Sequence, residues 1–262
     1  MLPKPKKRFG QHFLTDRHYL ARIVAAIAPR PDDHMVEIGP GTGLLTEELA
    51  RVVELLHVIE IDRELAAALG ERFAPDKVAV HQADALEFDF ASLPSPVRVV
   101  GNLPYNVSTP ILFRIAAVAE RIADCTFMLQ KEVVDRMVAR AGSADYGRLS
   151  VMLQYRFQMH ALLRVPSGAF TPPPKVDSAV VRMRPLGPER RRARDEELFA
   201  RVVAAAFSQR RKTLRNALRA LADEGAFDAA GIDPVRRGET LSVDEFISLA
   251  DSAGGQSSLQ SA

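Results

Sequence analysis

The chain has 262 residues, 47% hydrophobic and 26% charged, with Cys125 as its single cysteine; these are globular proportions, which exclude global disorder, collagen-like repeats and low-complexity architecture. One cysteine excludes an intramolecular disulfide and any multi-cysteine metal site, and no apolar run approaches the ~18 residues of a spanning helix, so a cytoplasmic protein with no membrane segment and no metal is expected. The net charge of +2 is unevenly divided: residues 1–17 carry five basic side chains against one acidic, 18–124 nine against sixteen, and 125–262 twenty-one against sixteen.

In chain order, Thr15 and Asp16 can cap a helix running through Tyr19, Ile23, Val24 and Ile27 and ending near Pro29. From residue 34 short apolar, β-branched runs alternate with amphipathic stretches, the pattern of a parallel sheet covered by helices. Strands are predicted at His34–Ile38, Leu55–Ile61, Val78–Gln82, Val97–Gly101 and Cys125–Leu129, and helices near Leu44–Val53, Arg63–Phe73 and Pro110–Ala119. One more helix follows to about Ala139, and then two apolar runs, Val151–Phe157 and Ser178–Met183, are expected to pair antiparallel and close the sheet. Arg184–Pro188 reads as a linker, because Pro and Gly interrupt both helix and strand. Beyond it, Leu198, Val202, Val203 and Phe207, then Leu214, Leu218 and Leu221, recur at helical spacing. The tail from Ala253 to Ala262 is expected to be disordered.

Two stretches carry chemistry. Glu37-Ile38-Gly39-Pro40-Gly41-Thr42-Gly43 follows a predicted strand and precedes a predicted helix, where glycines let the backbone turn tightly and approach a ligand. Glu60 stands 21 residues past Gly39 at the end of the next strand, where a carboxylate can accept from both ribose hydroxyls. Together they indicate a nucleoside site. No Gly-Lys-Ser/Thr follows, which excludes a triphosphate-cradling loop but leaves NAD open. Asp84, after the third strand, suits either an acceptor for an adenine amino group or a helix cap.

Gly101-Asn102-Leu103-Pro104-Tyr105-Asn106 decides between these cofactors. It falls at the carboxyl edge of the sheet and contains the (Asp/Asn/Ser)-x-Pro-(Tyr/Phe) pattern of methyltransferases acting on an exocyclic amino nitrogen. The lone pair of an adenine amino group is delocalised into the ring, so an enzyme must hold its hydrogens in acceptors. The Asn102 side-chain oxygen and a backbone carbonyl at Leu103 or Pro104 can do so by positioning and electrostatics alone. Tyr105 offers a face on which an extruded base can stack.

On these motifs the chain resembles the small-subunit (16S) ribosomal RNA adenine-N(6),N(6)-dimethyltransferase family, the kasugamycin-resistance dimethyltransferases, over essentially its whole length. Lys7-Arg8-Phe9-Gly10-Gln11-His12-Phe13-Leu14, Phe170-Thr171-Pro172-Pro173-Pro174-Lys175-Val176-Asp177-Ser178 and Phe207-Ser208-Gln209-Arg210-Arg211-Lys212 carry the resemblance further. It implies S-adenosylmethionine as cofactor, contacted by His12, Leu14, Gly39, Glu60, Asp84 and Asn102, with Gly41 and Ile61 as neighbours. Asn commonly stands in the family where this chain has His12.

Phe170 reads either as a core aromatic at a strand boundary or as a ring presented to the base opposite Tyr105, and the stiff Pro172-Pro173-Pro174 run and the resemblance favour the second. Lys175 and Asp177 suit holding the loop, and Cys125 packing. From Arg182 to Arg219 there are twelve Lys/Arg against four acids, a single-sign concentration that suits a phosphate backbone, as does the arm Lys4–Arg8.

The expectation is an α/β chain: a Rossmann-like methyltransferase domain over residues 1–186, then a small all-helical RNA- or ribosome-binding domain over 187–252. By resemblance a monomer dimethylates two adjacent adenosines in the 3′-terminal hairpin loop of 16S rRNA, in the 30S subunit or its precursor. A large-subunit rRNA adenine dimethyltransferase, a DNA adenine methyltransferase and a non-catalytic assembly factor are the competing readings.

Overall fold

The computed structural model describes residues 11–209 and 211–257. The basic arm Lys4–Arg8, the motif residues Lys7–Gly10, Arg210 and tail residues 258–262 lie outside that range. The described chain forms two compact units: one runs to Val134 and resumes over Phe157–Pro185, and the other takes Asp135–Arg156 and everything from Leu186. The single boundary expected at 186 is therefore replaced by three crossings.

The first unit contains β1 (Phe13–Leu14), α1 (Arg17–Ile27), β2 (Met35–Ile38), α2 (Leu44–Ala50), β3 (Leu56–Glu60), α3 (Arg63–Arg72), β4 (Val78–Gln82), β5 (Val97–Asn102), α4 (Ser108–Ala117) and β6 (Ile122–Gln130). The helix α5 (Lys131–Val138) leads out of it, α6 (Arg148–Gln154) belongs to the second unit, and β7 (Phe157–Val165), β8 (Phe170–Thr171) and β9 (Ser178–Pro185) return to the first. Seven strands form one sheet in the order β4-β3-β2-β5-β6-β9-β7. The pairings of β2 with β3 and β5, β3 with β4, and β5 with β6 are parallel, whereas β9 runs antiparallel to β6 and β7. The order reverses between β2 and β5, and an open sheet offers a ligand crevice at such a switch point.

Met35, Val36, Leu56, Val58 and Val99 are fully buried along the central strands, as continuous apolar runs covered on both faces must be. Asp16 accepts from the His18 and Tyr19 N–H groups and so starts α1, which turns Leu20, Ile23 and Ile27 inward. At Gly101 a Cβ would stand 2.3 Å from the Ile38 carbonyl oxygen, so only glycine lets β5 lie this close to β2 immediately before Asn102. Arg98, on β5, sits in a polar cluster at the opposite end of the sheet. Its guanidinium bonds Asp33 at 2.5 Å and Asp124 at 2.9 Å, and it also donates to the Ile27 and Ala28 carbonyls that end α1.

The antiparallel closure of the sheet is present, but its first strand is β7 rather than Val151–Phe157. Most of that run is helical, starting after Gly147, whose N–H donates to the Ser150 hydroxyl. A short apolar run is compatible with a buried helix as well as a strand, and here packing decides. Val151 and Tyr155 enter the core of the second unit, where the rings of Tyr155 and Phe199 stack at 4.4 Å.

That unit continues through α7 (Glu196–Ser208), α8 (Leu214–Ala217), α9 (Glu224–Ala230) and α10 (Val243–Ser257), helical as expected. α10 runs through Ala253 to Ser257, so those residues are helical rather than disordered, and Ala253 is buried. Strand β9 likewise extends to Pro185, into the expected linker. The basic segment is partly spent on the fold: the Arg190 side chain is 7% exposed over the Tyr155 ring, Arg191 bonds Ser248, Arg215 pairs with Glu224 and Arg182 bonds the Ala26 carbonyl.

Candidate active site

One cleft opens at the carboxyl ends of β2, β3, β4 and β5. Its wall includes His12, Leu14, Gly39, Gly41, Glu60, Ile61, Asp84, Asn102, Leu103, Pro104 and Tyr105, all singled out in the sequence. The loop after β2 forms its floor. Gly41 adopts φ +56 there, and a Cβ would meet the Phe13 ring at 2.9 Å, so the turn needs glycine for both conformation and space. Glu60, 4% exposed, accepts the Gly41 N–H at 3.2 Å and the Asp62 N–H at 2.9 Å. A carboxylate has about four acceptor positions, so acceptor capacity is left for a diol. Burial raises the Glu60 pKa against the pull of those two donors. Ile61 is 47% exposed beside it, an apolar surface for a flat ring.

Asp84 Oδ1 accepts the Leu86 N–H at 2.9 Å, so one oxygen caps a turn, and the residue lines the cleft. Asn102 Nδ2 donates to the His12 carbonyl at 2.9 Å. Because a carbonyl only accepts, this bond identifies the amide nitrogen and leaves Oδ1 free of that contact as an acceptor. The Pro104 carbonyl accepts from Val107 N–H, which closes the turn leading into α4. Tyr105 is tethered through its hydroxyl to Ser178 Oγ at 2.6 Å, and burial raises its pKa.

The amino-terminal segment reaches this cleft through a two-stranded sheet in which Phe13 pairs with Thr171 and Leu14 with Phe170. That pairing corrects the expectation for Phe170. Successive strand side chains alternate; Thr171 is exposed, while the Phe170 ring is 3% exposed in a core with Leu14, Ile23 and Val165. Phe170 is not among the residues that line the cleft. Asp177 holds the loop, as expected, by bonding Arg164 at 2.6 Å and the Ser167 N–H at 3.0 Å.

Two cleft residues were given no role in the sequence. Glu37, inside the glycine motif, is 2% exposed and accepts the Thr46 hydroxyl at 2.7 Å. Thr126, on β6 in register with Val100, is 3% exposed, and its hydroxyl has no partner. The acidic residue in the motif was a legible signal for the first; the second depends on strand register.

Burial pushes the Glu37 carboxyl up to about 7; the Thr46 hydrogen bond opposes the rise and Glu60 adds to it. A carboxyl whose pKa is raised on folding binds more protons folded than unfolded between about 4.5 and 7. Its stabilising contribution is therefore complete below about 4.5 and is lost as pH rises through about 7. Glu37→Gln is expected to flatten this component: the difference in melting temperature between variant and parent shifts in the variant's favour from pH 5 to pH 8. A difference independent of pH would show that Glu37 does not titrate there.

The cleft thus combines a buried carboxylate, Glu60, with the Asn102 amide and the Tyr105 ring in its lining. A family profile described as ribosomal RNA adenine dimethylase matches residues 3–254. The chain is 58% identical over 248 residues to the ribosomal RNA small subunit methyltransferase A of Aromatoleum aromaticum, covering 95% of this chain and 94% of that protein. It is 57% identical to the protein of that name from Laribacter hongkongensis, covering 95% and 96%. Among solved structures it is similar to the 23S rRNA methyltransferase ErmE, at TM-score 0.71 and 30% identity over 92% of this chain and 99% of that one. A dimethyladenosine transferase from Plasmodium falciparum shares the fold at TM-score 0.77 and 22% identity, covering 91% and 96%.

Proposed function

The chain belongs to the ribosomal RNA adenine dimethylase family, and from that premise we propose how its cleft performs S-adenosylmethionine-dependent dimethylation of rRNA adenine. The substrate in this reading is a pair of adjacent adenosines in the 3′-terminal hairpin loop of 16S rRNA, within the 30S subunit or its precursor. The enzyme acts as a monomer in the cytoplasm. The single observation that carries the reading is the Asn102 amide, whose nitrogen is held by the His12 carbonyl in a cleft that Tyr105 also lines.

The residues present fit the cofactor. Glu60, buried yet with acceptor capacity left over, suits the ribose hydroxyls, Ile61 the adenine face and Asp84 its amino group. His12, Leu14, Gly39, Gly41 and Asn102 complete that wall. S-adenosylmethionine, when bound, supplies an electrophilic methyl group. The chain's own work is to orient the acceptor nitrogen. Asn102 Oδ1 and the carbonyl of Leu103 or Pro104 receive the two amino hydrogens, which localises the lone pair; Tyr105, held by Ser178, supports the base from its face. Each transfer costs the nitrogen one proton, released to solvent, so after the first the amine keeps a single hydrogen and one acceptor suffices for the second. Four transfers complete one RNA.

The assignment to the small-subunit branch is supported by 58% identity to a small-subunit enzyme against 30% to a 23S rRNA enzyme. The test is radiolabelled methyl transfer to undermethylated 30S, mature 30S, 50S and DNA, followed by nucleoside analysis. Dimethyladenosine from undermethylated 30S alone is the expected result. Label in 50S would move the chain to the large-subunit branch, and cofactor binding without any label would favour an assembly factor.

The second unit binds RNA or the particle through its exposed cations, among them Arg194, Arg201, Arg211, Lys212 and Arg219. Counterion release then makes binding salt-dependent, and affinity for the particle is expected to fall at least about tenfold between ~50 and ~200 mM salt. A flat salt profile in a filter-binding assay would remove phosphates as the partner.

A further inference from the structure

Tyr105 is the ring on which the proposed reaction stacks its base, and one of its faces is already taken. The His12 imidazole lies against it with ring centroids 5.5 Å apart and planes inclined by 27°. That is direct aromatic contact. A planar base inserted between two rings needs two van der Waals separations, roughly 7 Å in all. The space between His12 and Tyr105 is therefore not a slot for adenine; the imidazole occupies the surface itself.

The imidazole is also held at its ring edge. Its Nδ1 donates to the Pro172 carbonyl at 2.8 Å, the only polarity a carbonyl permits. Pro172 opens the loop that ends at Asp177 and Ser178, and Ser178 is the tether of the Tyr105 hydroxyl. Both rings are thus tied to the same loop and stacked on each other. The main chain of His12 does separate work, because its carbonyl orients the Asn102 amide.

We propose that the His12 imidazole is the resting occupant of the Tyr105 face and is exchanged for the target adenine, so that this side chain sets how tightly the base docks. The inference rests on the reading that Tyr105 stacks the base. It makes His12 a specificity-determining residue on the RNA side of the cleft, in addition to its place on the cofactor wall.

The test uses the full chain as parent protein, His12→Ala, His12→Asn and His12→Phe. Docking is read as the fluorescence change of an oligoribonucleotide carrying a single 2-aminopurine, alongside KM and kcat with undermethylated 30S particles and binding of radiolabelled S-adenosylmethionine. Losing a stacked competitor is expected to tighten 2-aminopurine docking about fivefold in His12→Ala, and to lower KM for particles by a similar factor. His12→Asn keeps an amide donor for Pro172 and shares the tightening, which separates the ring from the loop tether; His12→Phe, which keeps a ring, is expected to tighten docking less than His12→Ala. Unchanged docking in both His12→Ala and His12→Asn overturns the proposal, as does a change confined to S-adenosylmethionine affinity. A parent protein that binds no S-adenosylmethionine and transfers no methyl group refutes the functional reading instead, and the 2-aminopurine comparison still decides the exchange.

Discussion

Asn102→Ala is expected to lower methyl transfer by about a hundredfold to a thousandfold, the loss that accompanies removal of one preorganised polar group at a reacting centre. The amide does two jobs at once. Nδ2 is committed to the His12 carbonyl at 2.9 Å, and that commitment leaves Oδ1 as the amide's acceptor. Alanine removes the acceptor and also releases the His12 segment, so the measurement must separate chemistry from cofactor binding. Single-turnover rates at saturating S-adenosylmethionine, with its affinity measured independently, do so. The expected pattern is a rate loss much larger than the affinity loss. Asn102→Asp keeps an acceptor but sets an anionic oxygen against the His12 carbonyl in place of a donor, so it should recover part of the rate and not all of it. If Asn102→Ala transfers methyl groups at the parental rate, the amide does not hold the amino group and the proposed chemistry is wrong.

Arg98→Met is expected to be the most destabilising of the substitutions considered, by about 3–5 kcal/mol, the range for breaking a buried ion pair from one side. The Arg98 side chain is only 12% exposed, with Asp33 at 15% and Asp124 at 13%. Methionine would leave two carboxylates facing each other without a cation, and would also uncover the Ile27 and Ala28 carbonyls at the end of α1. Thermal unfolding should report a drop of roughly 10 °C. The triple variant Arg98→Met, Asp33→Asn, Asp124→Asn removes the uncompensated charges and should regain a substantial part of that loss. A single variant within about 1 kcal/mol of the parent would show that solvent screens the cluster as it does a surface pair. The cluster lies at the end of the sheet opposite the cleft, so Arg98→Met tests the scaffold and Asn102→Ala the chemistry.

The readable parts of this protein are those whose signal is local. The five predicted parallel strands recur in the structure with ends displaced by at most three residues, because a strand buried on both faces must be a short apolar run between turn residues. Glu37–Thr42, Glu60, Asp84 and Asn102–Tyr105 converge on one cleft because all lie at the carboxyl ends of neighbouring parallel strands. Once the strands are known, that convergence follows from topology.

The misreadings share a physical origin. Val151–Phe157 is apolar enough for either a strand or a buried helix, and its partner surface, which includes Phe199, lies more than 40 residues away. Phe170 could face the cleft or the core, and which one depends on its register with Leu14, 156 residues earlier in the chain. Contacts of that span leave no periodic trace, since neither residue type requires the other. The same holds for His12 against Tyr105, Asn102 against the His12 carbonyl, and the cations drawn into the fold at Arg98 and Arg190. The sequence by itself determined the five parallel strands and set the glycine turn, Glu60, Asp84 and the Asn102–Tyr105 motif at their carboxyl ends, because each is written in adjacent residues and in the geometry of one strand end. Only the tertiary structure decided which aromatic ring meets Tyr105, which carboxyl is buried and which charges reach solvent, because these depend on which distant surfaces meet when the core closes.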